Sequence, residues 1–327
     1  MKITKILSII LAIACLASCM VTVTSCNKTK YTVGVCQLVQ HDALDAATKG
    51  FVETLKAEFG DNIEILEENA SGDPATCTTI VSNFVSKKVD LIMANATPAL
   101  QAAAQQENIP VLGTSITEYG VALGIDNFSG LVGSNVSGTS DLAPLDKQAD
   151  MILELCPNAN EVKVGLLYCS SEANSDYQVK EMRRLLTSKG VSDASIKSYA
   201  FTDSNDVYTV SAKAASECGV LYIPTDNTAA SCAETIKGAI GDTFVVAGEE
   251  GICGGCGVAT LSINYYDLGV ATAKMAIKIL KGEAKIEEMK IEYAAVSTKK
   301  YNAERCAELG IDTADLEAKG YVAIAQN

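Results

Sequence analysis

Short apolar segments alternate with amphipathic segments along most of this chain, and this alternation limits the folds open to it. Residues 31–38 have the pattern of a strand, and the segment after them has helical spacing up to Gly60. Strand and helix patterns continue to residue 113 and resume over residues 143–247. Units of this length build parallel sheets with helices on both faces. The sequence therefore predicts an α/β fold with two Rossmann-like lobes.

The segment between these two series, residues 133–141, is polar and rich in glycine and serine. We interpret it as part of a hinge-like connection between two similar halves. Ligands in open α/β sheets bind beyond the carboxyl ends of the strands. A cleft between the two lobes is therefore the expected functional site.

The first thirty residues have the layout of an export signal. Two lysines precede an apolar run, Ile6 to Ala17, which ends in Leu-Ala-Ser before Cys19. A short apolar run that closes on a cysteine is typical of a lipoprotein signal peptide, and a permanent span needs about 20 apolar residues. We predict a signal peptide over 1–18, a tether over 19–30 and lipidation of Cys19, with Cys26 as the alternative acceptor. The protein is then extracytoplasmic and anchored in the membrane through palmitate or a related acyl chain.

Residues 31–327 carry 22 basic and 40 acidic side chains, a formal net charge of −18. A surface of this charge repels phosphate backbones, so nucleic acid is not an expected partner.

Motifs of common enzyme classes are absent from the sequence. It contains no GxGxxG after the first strand, no Walker lysine and no Gly-x-Ser-x-Gly, and His41 is its one histidine. We expect no catalysis, no cofactor and no metal.

Four polar clusters follow strands or begin helices, where a cleft would present them. They comprise residues 37–45, 95–98, 170–175 and 224–228. Helix capping, by Asp42 in the first cluster and Thr97 in the second, is a second explanation for them. Asp226 is the expected acceptor for an ammonium group, because a carboxylate at a cleft mouth supplies the opposite charge.

Nine cysteines lie after residue 30, an odd number without the spacing of a disulfide framework. Cys253-Gly-Gly-Cys256 nevertheless raises the alternative of a thiol- or metal-binding lipoprotein. A second CxxC or a histidine pair, which a zinc site requires, is missing, and we expect this pair to lie in a loop before the strand 258–263.

In their order, these clusters resemble the ABC transporter substrate-binding proteins that include tryptophan- and tyrosine-binding lipoproteins with a type I periplasmic-binding fold. The resemblance spans nearly all of the chain after the leader. It rests on seven landmarks: residues 37–51, 69–73, 90–92, 96–99, 133–141, 168–175 with 224–228, and 264–269. Thr117-Glu118-Tyr119 departs from the family's usual Thr-Asp-Pro near the expected cleft.

The resemblance implies capture of a small ligand, best an aromatic amino acid such as tryptophan, tyrosine or phenylalanine, and its delivery to ABC permease subunits. It also implies a first lobe of residues 31–140 plus 256–293 and a second lobe of 141–255 plus 294–327. Helix N-termini at Thr97 and Asn174 would hold the carboxylate, and Tyr119, Tyr177 or Tyr265 would wall the side chain. The expected ligand-binding residues are Gln37, His41, Thr97, Thr117, Asn174, Ser175, Asp226 and Asn227.

One further alternative remains open from the sequence. A ligand sensor or receptor ectodomain of the same fold would share every one of these features. Sugars and nucleosides are also conceivable ligands, although sugar sites usually use tryptophan and this chain has none.

Overall fold

The structure, a computed structural model, describes residues 30–294 and 296–325. The predicted signal peptide, Cys19 and Cys26 lie outside the described residues. From Tyr31 onward, the described residues form one compact unit. Over the described residues no helix is long and apolar enough to cross a membrane.

Two sheets organise the chain, as the strand and helix alternation predicts. In the first sheet all strands are parallel, in the order Glu292–Tyr293, Val136–Ser140, Val111–Ile116, Leu91–Asn95, Tyr31–Gln37 and Ile63–Asn69. Buried apolar side chains fill the space between this sheet and its helices on both faces. The elements of this first lobe are β1 (Tyr31–Gln37), α1 (Asp42–Phe59), β2 (Ile63–Asn69), α2 (Pro74–Ser86), β3 (Leu91–Asn95), α3 (Thr97–Ala103), β4 (Val111–Ile116), α4 (Tyr119–Leu123) and β5 (Val136–Ser140).

The strands of the second sheet follow in the order Val322–Ala323, Thr298–Tyr301, Ala259–Ser262, Phe244–Ala247, Val220–Ile223, Val164–Cys169 and Ile196–Phe201. Among these described strands, only Ala259–Ser262 and Thr298–Tyr301 pair antiparallel. Its apolar clusters again lie on both faces. The elements of this second lobe are α5 (Leu145–Leu155), α6 (Ala159–Val162), β6 (Val164–Cys169), α7 (Ala173–Ser188), β7 (Ile196–Phe201), α8 (Val207–Glu217), β8 (Val220–Ile223), α9 (Asn227–Ser231), α10 (Ala233–Ile240), β9 (Phe244–Ala247), α11 (Glu250–Gly255) and β10 (Ala259–Ser262).

The chain crosses between the lobes three times. After β10 it returns to the first lobe as α12 (Tyr265–Leu280) and β11 (Glu292–Tyr293). It then completes the second lobe with β12 (Thr298–Tyr301), α13 (Ala303–Glu308), α14 (Thr313–Ala318) and β13 (Val322–Ala323).

One predicted lobe boundary is wrong. The prediction gives residues 256–293 to the first lobe, but β10 pairs with β9 and β12 of the second sheet. The chain therefore crosses at residues 263–264, and 256–262 belong to the second lobe. A local apolar pattern defines a strand but not the sheet it joins, which explains the error.

The segment interpreted as a hinge-like connection, residues 133–141, contains a strand. In β5, Gly138 lies opposite Gly113 of β4 and has a φ of 143°. A Cβ on Gly138 would lie 2.1 Å from the Gly113 carbonyl oxygen. The two glycines therefore allow close strand pairing, and the Tyr119 hydroxyl fits beside them and donates to the Thr139 carbonyl at 3.1 Å.

Helices α1 and α12 pack closely in the first lobe through glycines. A Cβ on Gly269 would lie 2.0 Å from the carbonyl oxygen of Ala47, and one on Gly50 would lie 2.2 Å from that of Tyr266. Only glycine permits this separation, so α12 is held against α1 although more than 200 residues separate them in sequence.

Candidate functional site

The carboxyl ends of both sheets meet where the two lobes face one another. Helix α4 contacts α7 on one side of this junction, and α1 contacts α11 on the other. Between them, Nε2 of His41 in the first lobe lies 3.4 Å from Oδ1 of Asn227 in the second. Most of the predicted ligand-binding residues follow strands that end at this junction. The structure therefore brings those of the first lobe and those of the second lobe to one region.

Gln37, the last residue of β1, is fully engaged inside the first lobe. Its amide nitrogen donates to Asp45 at 2.6 Å and to the Val39 carbonyl at 2.8 Å, and its oxygen accepts from Thr48 at 2.6 Å. These contacts orient the loop before α1. Asp42 does not cap α1, because the helix begins at Asp42 and the N-cap position is His41, whose side chain forms no capping bond.

The turn after β3 adopts an unusual backbone conformation. Thr97 is buried and begins α3, but the N-cap is Ala96, with a φ of 88° and no side-chain cap. The predicted capping by Thr97 is therefore wrong. Ser115 in the neighbouring strand β4 has a φ of 55° and is also buried. Non-glycine residues in this region are strained, and such strain concentrates at functional sites.

Glu172 organises the second-lobe side of the junction, although the sequence predicts no role for it in the site. Its carboxylate accepts from the backbone and side chain of Asn227 at 3.0 and 2.7 Å. It also accepts from the backbone and hydroxyl of Thr228, both at 2.8 Å. Glu172 thereby fixes the start of α9. Its position in the polar Glu-Ala-Asn-Ser segment is the sequence feature that could have identified it as a site residue.

Asp226 is almost completely buried and both of its oxygens are bonded to the backbone. One accepts from the Cys169 amide at 2.6 Å and the other caps α9 through the Ala229 amide at 2.8 Å. Burial, with the nearby charge of Glu172, raises the pKa of Asp226 to about 8. Asp226 thus joins β6 to the start of α9.

Asn174 and Ser175 begin α7 and are buried beside Asp226. The Asn174 amide nitrogen donates to the Thr225 carbonyl at 3.0 Å and lies 3.3 Å from both Glu172 and the Ser175 hydroxyl. Because the nitrogen donates to these acceptors, the side-chain oxygen of Asn174 points away from them.

Asp141, directly after β5, is a second buried acid that the sequence did not identify as a site residue. One of its oxygens accepts from the Tyr265 hydroxyl at 3.0 Å. Burial raises the pKa of Asp141 to about 6, although hydrogen bonds from Tyr265 and Thr117 favour the ionised form. Thr117, a predicted ligand-binding residue, is buried here.

Glu249 lies close to Asp141 and is buried at the end of β9. Its oxygens cap α11 through the Gly251 and Ile252 amides. Burial raises the pKa of Glu249 to about 7, and the capping amides partly offset this effect.

Within the described part of the chain, several buried polar atoms at the junction have no hydrogen-bond partner. Four are acceptors: His41 Nδ1, Asn95 Oδ1, Asp141 Oδ1 and Asn174 Oδ1; the fifth is the Ser115 hydroxyl. His41 Nδ1 is an acceptor because Glu172 orients the Asn227 amide, so that the Asn227 oxygen faces His41 and Nε2 must donate. Burial lowers the pKa of His41, which favours this neutral form. Buried polar groups are normally paired, so the junction is suited to a ligand that supplies donors.

The three tyrosines expected to wall a ligand differ in position. Tyr119 is buried inside the first lobe, where it stacks on Phe128. Tyr177 is half-buried on α7 and packs on the core of the second lobe. Tyr265 lies at the junction beside Asp141.

An open groove of about 910 Å³ adjoins the junction on the α1–α11 side. Of the eight predicted ligand-binding residues only His41 lines it, together with Tyr265 and Glu249. The predicted residues therefore belong mainly to the closed contact between the lobes.

The CxxC pair lies on and just after α11, and not in a loop. Cys253 and Cys256 are fully buried free thiols, and burial raises the pKa of both, that of Cys256 to about 12. The described residues contain no group of three or more His, Cys, Asp or Glu side chains arranged to hold a metal. Neither observation favours a redox or metal site.

Comparisons with known proteins agree with this architecture. A sequence model of the ABC transporter substrate binding protein family matches residues 32–318. The tyrosine-binding protein of Clostridioides difficile (strain R20291) is 33% identical over 264 residues, which cover 79% of this chain and 75% of that protein.

Two solved structures are similar at the level of coordinates. The ABC domain from Streptococcus pneumoniae in complex with L-Trp is 31% identical, covers 90% of this chain and all of its own, and has a TM-score of 0.82. A ligand-free, open substrate binding protein with adhesive properties from Clostridium difficile is 33% identical, with coverage of 91% and 100% and a TM-score of 0.65. By TM-score, the chain is more similar to the L-Trp complex than to the open, ligand-free structure.

Proposed function

The chain belongs to the family of ABC transporter substrate-binding proteins, and from this premise we propose that it is the lipid-anchored, extracytoplasmic receptor of an importer for an aromatic amino acid. The ligand is held between the two lobes and handed to permease subunits. The protein itself catalyses nothing. Its two states differ in the separation of the lobes, and a ligand that contacts both lobes stabilises the closed state.

One observation carries this proposal: buried acceptors without partners lie on both lobes at a closed junction. A free amino acid brings an ammonium group with three donors, which such acceptors require. The named ligands of the two relatives, tyrosine and L-Trp, support an aromatic side chain.

Membership of the family supports delivery to a permease, and the leader sequence supports the lipid anchor. The Cys19 acceptor, with Cys26 as the alternative, lies outside the described residues. Ligand capture can be tested apart from both.

A thermal-shift screen of the purified protein against the twenty amino acids, common sugars and nucleosides tests the ligand class. A ligand that binds only the folded state increases the free energy of unfolding, by about 2.7 kcal/mol at a ligand concentration of a hundred times its Kd, and so raises the melting temperature. We expect shifts confined to tryptophan, tyrosine or phenylalanine. A shift with a sugar or nucleoside alone would overturn the proposed ligand, and co-purification with a signalling protein in place of a permease would overturn the transport role.

A further inference from the structure

The junction contains four buried carboxylates, which differ in their hydrogen-bond partners. Glu172 and Glu249 are committed to holding helix starts in the second lobe. Both oxygens of Asp226 accept backbone amides. Asp141 differs: hydrogen bonds from the Tyr265 and Thr117 side chains favour its ionised form, and its Oδ1 has no partner among the described residues.

We propose that Asp141, and not Asp226, is the anionic partner of the ligand's α-ammonium group, with Asn174 Oδ1 as a second acceptor from the opposite lobe. This assignment rests on the proposed function and specifies its ligand as an amino acid with a free amine.

Asp141 and Asn174 are joined by a short series of contacts across the junction. The Asn174 amide donates to the Thr225 carbonyl at 3.0 Å. A hydrogen bond from the Thr225 side chain to the Tyr265 phenol partly offsets the rise in the pKa of that phenol that burial causes. That phenol donates to Asp141 at 3.0 Å. Asp141 and Asn174 therefore belong to one set of contacts across the junction, and a group that binds the unpaired oxygens of both residues favours closure.

The charge of the junction is consistent with a cationic partner. Arg305 is the one basic side chain among the buried residues described, and it binds the Gly241 carbonyl and Glu308 within the second lobe. An ammonium group would therefore meet acids and acceptors here without competition from a buried lysine or arginine.

Isothermal titration with an amino acid and its α-hydroxy acid analogue tests the assignment. The analogue keeps the carboxylate and side chain and replaces the ammonium by a neutral hydroxyl. We expect wild-type protein to prefer L-tyrosine over 3-(4-hydroxyphenyl)lactate by about 100-fold, and Asp141→Asn to reduce this preference to about 10-fold or less, since the ammonium group then loses a charged acceptor. If tryptophan or phenylalanine binds more tightly, that amino acid and its own hydroxy acid replace the pair.

Asp126→Asn provides a matched control, because Asp126 is an exposed acid of the first lobe. It removes the same charge and should leave the preference unchanged. Asp226→Asn should lower the melting temperature of the free protein while the folded fraction keeps the preference.

Two results would count against the proposal in different ways. A preference that survives Asp141→Asn but disappears in folded Asp226→Asn would return the ammonium contact to Asp226. Failure of wild-type protein to bind any amino acid would overturn the proposed function, and this assignment with it.

Discussion

The hydroxyl of Tyr265 donates to Asp141 at 3.0 Å, and these two residues lie at two different crossings between the lobes. Asp141 directly follows β5 at the first crossing, and Tyr265 begins α12 directly after the second. The bond therefore ties together segments that are 124 residues apart at the pivot of the molecule.

Replacement of Tyr265 by phenylalanine should destabilise the protein by about 1–3 kcal/mol, because a buried carboxylate loses a donor. Denaturant unfolding at pH 7.5 measures the change. Tyr266→Phe is the matched control, because its hydroxyl binds Glu53 at an exposed site. Equal effects of the two substitutions would contradict a special role for the Tyr265–Asp141 bond.

The stability of the protein should fall as the pH rises from 5 to 8.5. Burial raises the pKa values of Asp141, Glu249 and Asp226 to about 6, 7 and 8, whereas unfolded carboxyl groups titrate near about 4. The folded state thus binds more protons across this interval, and the stabilisation is lost as the pH passes each folded pKa, at no more than about 1.4 kcal/mol per pH unit and group.

Urea unfolding at several pH values measures this slope. Asp141→Asn combined with Glu249→Gln should flatten the profile below pH 7.5, because two of the three titrating groups are then neutral throughout. A wild-type stability that rises steadily over the interval would show that these acids are ionised in the folded protein.

Gly269→Ala should destabilise the first lobe by about 1–3 kcal/mol, because the added Cβ would overlap the Ala47 carbonyl oxygen. Gly238→Ala is the control: Gly238 also lies within a helix, but an added Cβ there meets no atom within 4 Å. Helix propensity predicts that this control gains about 0.5–1 kcal/mol. Thermal unfolding of both variants compares them, and a stable Gly269→Ala protein would show that α1 and α12 can separate.

Cys232 should react faster with iodoacetamide than the other eight cysteines of residues 31–327 in the folded protein. It is partly exposed, whereas those eight are buried. Peptide mapping after a short pulse of alkylation identifies the modified sites. Rapid modification of Cys253 or Cys256, or bound metal released by a chelator, would revive a thiol or metal role for the CxxC pair.

Cys19→Ser should abolish incorporation of labelled palmitate, while Cys26→Ser should leave it intact. The Leu-Ala-Ser segment before Cys19 is the better lipoprotein signal of the two. Membrane fractionation of both variants provides the second readout. Loss of label in Cys26→Ser alone would move the anchor to the alternative acceptor.

Much of the fold could be predicted because strands and helices leave periodic patterns in the sequence. The predicted alternation of strands and helices over residues 143–247 agrees with the structure. Strand β5 was missed because Val-Ser-Gly-Thr-Ser resembles a loop, and its pairing depends on Gly113 in a different segment.

The convergence of polar residues at the junction between the lobes was also predictable, since the strand ends that precede them meet there in this fold. The roles of individual residues were not. Whether a carboxylate caps a helix or faces a ligand depends on partners from distant segments: Cys169 engages Asp226, whereas Tyr265 engages only one oxygen of Asp141. Neither the composition of the chain nor the spacing of its residues predicts these hydrogen-bond partners.

The three crossings also determine when each lobe can form as the chain emerges from its amino terminus. The first sheet is complete only when β11 has arrived, and the second only when β12 and β13 have joined it. Both sheets therefore take outer strands from residues beyond 290, so neither sheet is complete before that point of the chain.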